Sequence, residues 1–192
     1  MTAGAVEPTQ PPPRLKGMYI YGHVGVGKTM AMDVFYDHCP LAAKRRVHFH
    51  KFMLEIHQRI HAYKQRLLQQ YGREVHINLS SERDAIAAVA HDIADECRLL
   101  CFDEFQVTDI CDAMMLAKFF GVLWERGTVL VATSNRPPTD LYKDGLNRSY
   151  FLPFIDRLQD ECVVWDMGTS EDYRQVRPEP FAPRVQGKVA LF

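Results

Sequence analysis

The chain has 192 residues, 47% of them hydrophobic and 24% charged, values ordinary for a globular protein and enough for a core of ordinary size. A net charge of −1 sets up no strong field of either sign, so composition alone does not argue for nucleic acid or a membrane surface as partner. The five cysteines, odd in number and with no C-x-x-C pair, point to free thiols in a reducing compartment.

No apolar run approaches the length of a membrane span, so any membrane association is expected to be indirect. Residues Met1 to Pro13 carry Glu7 and no arginine, and resemble neither a secretory signal nor an Arg-rich transit peptide. Residues 1–16 are Pro-rich and aperiodic and are expected to form a disordered leader.

Met18-Tyr-Ile-Tyr21 is an apolar run that predicts a buried parallel strand. It feeds Gly22-His-Val-Gly25-Val-Gly27-Lys28-Thr29, a G-x-x-x-x-G-K-T pattern, and a helix is predicted to follow with Met30, Val34 and Phe35 on its apolar face. Strand, glycine loop and helix together make a phosphate cradle. Glycines let backbone N–H groups converge on oxygen atoms, and the helix N-terminus adds partial positive charge. The candidate nucleotide contacts are Gly22, His23, Val24, Gly25, Val26, Gly27, Lys28, Thr29 and Met30. Lys28 suits the β- and γ-phosphates, and the Thr29 hydroxyl suits Mg²⁺. The helix is expected to end near His38, because Pro40 disfavours helix at Cys39.

Arg45-Arg-Val-His-Phe-His50 alternates and predicts a second strand with His48 and His50 on one face. That spacing is compatible with a metal, but no acid or cysteine stands beside the pair, and strand surface is the plainer reading. From Phe52 to Leu68, apolar residues at Phe52, Ile56, Ile60, Tyr63 and Leu67 predict a helix. Its other face carries His57, Arg59, His61, Lys64 and Arg66. It is either a solvated face or a surface for an acidic partner or phosphate backbone. After a loop at 71–79, Ser80 or Ser81 is expected to cap a helix whose buried stripe is Ile86, Val89, Ile93 and Cys97.

Arg98-Leu-Leu-Cys-Phe-Asp103-Glu104 predicts a buried strand that delivers two carboxylates to the edge of the sheet beside the glycine loop. Asp103 is the candidate metal carboxylate, with Thr29, and Glu104 the candidate general base for an attacking water. A helix over Asp109–Trp124 closed by Gly127 and a strand over Thr128–Thr133 come next. The strand ends in Ser134-Asn135. The Asn135 amide can orient the water or touch the γ-phosphate, or it can simply serve the turn at Arg136-Pro-Pro138. Two short helices broken near Ser149-Tyr150 are predicted over 141–158, and Glu161–Asp166 supplies a fifth strand.

This ordered set resembles an AAA+ ATPase, and within that class the ATPase-family-gene-one or lactation-elevated type, which includes the bacterial cell-division protein ZapE. The resemblance rests on Arg14-Leu-Lys-Gly-Met-Tyr-Ile-Tyr-Gly22, Val47-His-Phe-His-Lys-Phe-Met53, Cys101-Phe-Asp-Glu-Phe-Gln-Val-Thr-Asp-Ile110, Ala132-Thr-Ser-Asn-Arg-Pro-Pro138 and Leu141-Tyr-Lys-Asp-Gly-Leu-Asn-Arg148. Phe151-Leu-Pro-Phe154 and Asp172-Tyr-Arg174 complete it. It implies a three-layer α/β P-loop NTPase fold (an AAA+ core) with a five-stranded parallel sheet in the order 5-1-4-3-2. It makes Gly22–Thr29 the Walker A loop, Asp103 and Glu104 the Walker B pair and Asn135 the first sensor. Arg148 becomes the candidate arginine finger, with Arg157 as the other choice.

The resemblance further implies ATP and Mg²⁺ as ligands, protein substrates, a homo-oligomeric ring (a hexamer in relatives) and a mitochondrial setting, or a cytoplasmic one in bacteria. Relatives extend beyond both ends of this text, so the helical lid that closes over the adenine is expected to be missing. The resulting division is a leader at 1–16, a nucleotide-binding domain at 17–174 and a disordered tail at 175–192. Two rivals to ATP hydrolysis stand beside it: a non-hydrolysing module that regulates full-length copies, and a nucleic-acid-stimulated ATPase using the basic face around Arg59 and Arg66. A small-molecule kinase is the weakest reading, since neither an acceptor pocket nor an Arg-rich lid is in view.

Overall fold

Five parallel strands form one sheet in the spatial order β2-β3-β4-β1-β5, which is the predicted order read from the other edge. The structure is a computed structural model that describes residues 15–71 and 79–168. In chain order the elements are β1 (Gly17–Tyr21), α1 (Lys28–His38), β2 (Lys44–His48), α2 (Phe49–Tyr71), α3 (Leu79–Glu96), β3 (Leu99–Asp103), α4 (Ile110–Glu125), β4 (Val129–Ser134), α5 (Leu152–Glu161) and β5 (Cys162–Asp166). Residues 1–14 of the expected leader, the loop residues 72–78 and the whole of the expected tail lie outside the described residues.

The strand order dictates where the helices go. A right-handed crossover from β1 to β2 runs one way across the sheet, and the crossovers into β3, β4 and β5 all run the other way. α1 therefore packs on one face, over Ile20, Leu99, Cys101 and Val131, while α2 to α5 pack on the opposite face. The larger face is aromatic. Phe49, Phe52, Phe102, Phe105, Phe119, Phe120 and Phe154 are each at most 2% exposed and meet mostly edge-on or tilted, with Phe105 and Trp124 both stacked on Phe154. Such pairs add specific geometry to a large buried apolar area.

Both ends of α4 are chemically marked. Asp109 caps the start, its carboxylate accepting from the Cys111 amide at 2.6 Å. At the other end Gly127 turns left-handed (φ 80°), its amide bonds to Trp124 O, and the Thr128 amide reaches back to Leu123 O. This is a Schellman closure, as the predicted role of Gly127 requires.

Four expectations change. On α1, Met30, Val34 and Phe35 are exposed, and the buried residues are Lys28 and Met32, with Tyr36 half-buried beside them. Lys28 has to turn into the glycine loop, and it sets the phase: the positions four and eight residues on follow it inward. β2 stops at His48, and Phe49 and His50 open α2, so the two histidines do not share a strand face. Phe49 enters the aromatic core from the helix instead. α3 already contains Ser80 and Ser81, so neither is its N-cap; serine is also tolerated within a first helical turn. Between β4 and α5 there are two 3₁₀ turns, Pro138–Asp140 and Arg148–Tyr150, and only α5 is a regular α-helix. Tyr142, Asp144 and Asn147 all adopt positive φ there, a winding that helical periodicity does not contain.

Candidate nucleotide site

The carboxyl ends of β1, β3 and β4 converge on a cleft of about 390 Å³. This is where an open α/β sheet offers its ligand crevice, beside the point at which the direction of strand crossing reverses. One wall is the glycine loop. Gly25 (φ 91°) and Gly27 (φ 88°) take left-handed conformations that a side chain would strain, and a Cβ placed on Gly27 would meet no protein atom within 4 Å. That open space lies at the N-terminus of α1, where backbone N–H groups and helix dipole favour an anion.

Val24, Gly25, Gly27, Lys28, Thr29 and Met30 line the cleft. Gly22 and His23 act through their carbonyls, which accept from Lys28 Nζ at 2.8 and 2.6 Å, and Val26 is buried behind the loop. These bonds hold the Lys28 ammonium within the loop although the residue is only 8% exposed.

The facing wall comes from β3 and β4. Asp103, 5% exposed, is gripped from both sides: Thr29 Oγ1 donates to its Oδ1 at 2.9 Å and Thr133 Oγ1 donates to the same oxygen at 2.7 Å. Its Oδ2 faces Arg46 at 3.5 Å and His48 Nδ1 at 3.7 Å, both on β2. Arg46 is shared with Asp33 of α1, whose carboxylate raises the guanidinium pKa, so this cation stays charged behind the acid. Glu104 follows at φ 57°, exposed to the cleft, and its amide donates to Thr133 Oγ1 at 3.3 Å. The next amide, Phe105, donates to Thr133 O at 2.7 Å, and Ser134 Oγ donates to Phe105 O at 2.9 Å.

The tip of β4 is tied to β1 as well. Tyr19, fully buried, donates through its hydroxyl to Arg136 O at 2.9 Å. Burial pushes that hydroxyl well above the ordinary phenol range, so it remains a donor throughout the physiological pH range. Asn135, exposed, lines the cleft between these ties.

The donor set fits the ligands that the sequence implies. A hydroxyl and a carboxylate side by side are hard oxygen ligands of the kind Mg²⁺ takes, and the glycine loop with its lysine suits phosphate oxygens. Thr29 and Asp103 are the residues that would hold the cation.

The two arginine candidates stand elsewhere. Arg148 does not line the cleft of its own chain. Its Nη2 donates to Thr139 O, and its buried Nε has no hydrogen-bond partner among the described residues. Arg157 lies over the Trp124 ring between Glu125 and Glu161. The first part of the basic face of α2 is answered within the chain: Arg59 pairs with Glu55 and Glu96, and His57 meets Asp112 at 2.7 Å. The residue that sequence reasoning missed is Thr133. Its only signal was a hydroxyl at the end of an apolar strand, next to the Ser-Asn tip.

The sequence model of the family described as AFG1-like ATPase matches residues 6–185. Lactation elevated protein 1 homolog B of Danio rerio is 48% identical over 165 residues, covering 86% of this chain and 32% of that protein. Cell division protein ZapE of Escherichia coli K12 is 41% identical over 160 residues, covering 83% of this chain and 38% of that protein. The chain thus spans about a third of the length of the curated relatives it matches. Among solved structures, DnaI is similar with a TM-score of 0.52 at 12% identity, over 85% of this chain and 76% of that one. Domain III of the Thermotoga maritima replication initiation protein DnaA has a TM-score of 0.50 at 20% identity, over 81% of this chain and 55% of that one.

Proposed function

The chain belongs to the AFG1-like ATPase family, and from that premise we propose that it binds ATP with Mg²⁺ and hydrolyses it. The observation that carries this reading is the meeting of the Lys28 loop with the Asp103–Glu104 pair across one cleft. In this reading Lys28 and the loop amides bind the phosphates. Thr29 and Asp103 hold the cation, whose positive charge offsets the charge of the phosphate oxygens. Glu104 accepts a proton from the attacking water, and Asn135 orients that water. Arg148, outside its own cleft, serves the site of a neighbouring copy, as an arginine finger supplied in trans does.

The rest of the reading follows the resemblance: a homo-oligomer that couples hydrolysis to protein substrates in mitochondrial protein quality control. The ion pairs that Arg59 makes with Glu55 and Glu96 weigh against a free basic surface for nucleic acid.

The test is ATP turnover per molecule across a wide range of protein concentration, for the chain and for Arg148→Ala. Specific activity that rises with concentration and vanishes in Arg148→Ala supports the reading. Background turnover at every concentration, with labelled nucleotide still bound, replaces it with a non-hydrolysing binding module.

A further inference from the structure

We propose that Thr133 is a positioning residue of this site, its single hydroxyl fixing the metal-side carboxylate of Asp103 and the water-side residue Glu104 to one another. This rests on the ATP-hydrolysis reading above.

A threonine hydroxyl has one proton and two lone pairs. Here the proton is committed to Asp103 Oδ1 at 2.7 Å, and a lone pair accepts the Glu104 amide at 3.3 Å. The result is a directed chain: Glu104 N–H to Thr133 Oγ1, Thr133 O–H to Asp103 Oδ1, with the Thr29 hydroxyl donating to that same oxygen. Thr133 can serve as a fixed post because it is 1% exposed, β-branched and set in the central strand β4. Its own carbonyl is held by the Phe105 amide. Glu104 needs that post. A non-glycine residue at φ 57° sits in a sparsely populated region and keeps it only when its surroundings over-determine it. The amides of Glu104 and Phe105 are both bound to Thr133, one at the side chain and one at the backbone. The Asp103 contact has a separate use. When the Thr29 hydroxyl turns toward a ligand, Thr133 still holds the carboxylate in register with the glycine loop.

Valine matches threonine in shape and lacks the hydroxyl, and serine keeps the hydroxyl without the methyl group. The test compares the full chain with Thr133→Val and Thr133→Ser by titrating MgCl₂ against binding of a fluorescent ADP, with EDTA as the metal-free reference, and by steady-state turnover. Affinity in EDTA is expected to stay within about twofold of wild type in both variants. The Mg²⁺ concentration for half-maximal effect is expected to rise about tenfold or more in Thr133→Val, from loss of a hydrogen bond to a charged group. kcat is expected to fall by at least that factor with KM little changed, and Thr133→Ser to restore both. An unshifted Mg²⁺ midpoint in Thr133→Val overturns the proposal, as does a serine variant that fails to restore it, since packing would then be the cause. If wild type binds Mg²⁺-nucleotide without turnover, the hydrolysis reading alone fails, and the Mg²⁺ midpoints decide Thr133 by the same criterion.

Discussion

A Cβ placed on Gly17 would lie 2.0 Å from the carbonyl oxygen of Leu130 on β4. The two strands approach closely where β1 enters the sheet, and Cys162 Sγ of β5 stands 3.1 Å from the same point on the other side. Gly17→Ala therefore pushes against backbone rather than a flexible side chain. The expected cost is roughly 1–3 kcal/mol, the range for overpacking a tight site. Thermal unfolding should show a melting temperature lower by several degrees, about 2–4 °C per kcal/mol in a domain of this size.

Lys28 and Glu104 should separate binding from chemistry. Lys28→Met removes the ammonium that the Gly22 and His23 carbonyls hold in the loop, and nucleotide affinity should fall about 10–100-fold, as for loss of a hydrogen bond to a charged group. Glu104→Gln keeps size and leaves the amide bond to Thr133 in place, so affinity should be retained. Turnover should drop about 10²–10⁴-fold, the usual contribution of a general base. Fluorescent-nucleotide titration and phosphate release read the two effects apart.

The cysteines should divide by burial. Desolvation pushes the thiols of Cys101 and Cys162 up to about 12 and raises that of Cys97, so all three stay protonated at pH 8. Cys111 is exposed and Cys39 half-exposed. Brief alkylation of the native chain, followed by peptide mass mapping, should label Cys111 first and Cys39 next. Cys97, Cys101 and Cys162 should react only after denaturation.

Acid should loosen the junction of β2, α2 and α3. Hydrogen bonding from Arg45 is the main reason the Glu55 pKa lies below its ordinary 4.5, with Arg59 adding to it. A depressed carboxylate stabilises the fold above its unfolded pKa and loses that contribution as pH falls through the folded value. Urea unfolding of wild type and Glu55→Gln should therefore differ most near pH 7, and the difference should shrink as the pH falls below the ordinary 4.5. A constant difference from pH 7 to pH 3 would assign the effect to packing instead.

Legibility in the sequence followed how locally each feature is encoded. The glycine loop and the Asp103–Glu104 pair lie on contiguous residues flanked by uninterrupted apolar strands, so element type and the facing walls of the cleft could be read directly, while the strand order came from the family resemblance. The phase of α1 could not. Met30, Val34 and Phe35 satisfy a helical period as well as Lys28, Met32 and Tyr36 do, and the choice is made by where Lys28 must point. The alternation of β2 runs on through Phe49 and His50, although the chain has already turned into α2 and spends Phe49 on the aromatic core. Thr133 escaped notice because its partners, Asp103 and Glu104, are about thirty residues away in sequence. The path from Pro138 to Tyr150 winds through positive φ at Tyr142, Asp144 and Asn147, conformations that residue type alone does not announce.

The two acids stand between Phe102 and Phe105, both fully buried in the aromatic cluster that α2, α4 and α5 share. Two positions of chemistry are thus bracketed by two positions of packing, with no intervening residue to absorb a disturbance. A genetic screen scored only by loss of turnover would return Phe102, Phe105 and even Phe154 among its hits, and would take pillars for machinery. The converse holds for natural variation: a substitution in this aromatic cluster, well away from any bound phosphate, can silence the site while leaving every polar group in the cleft intact.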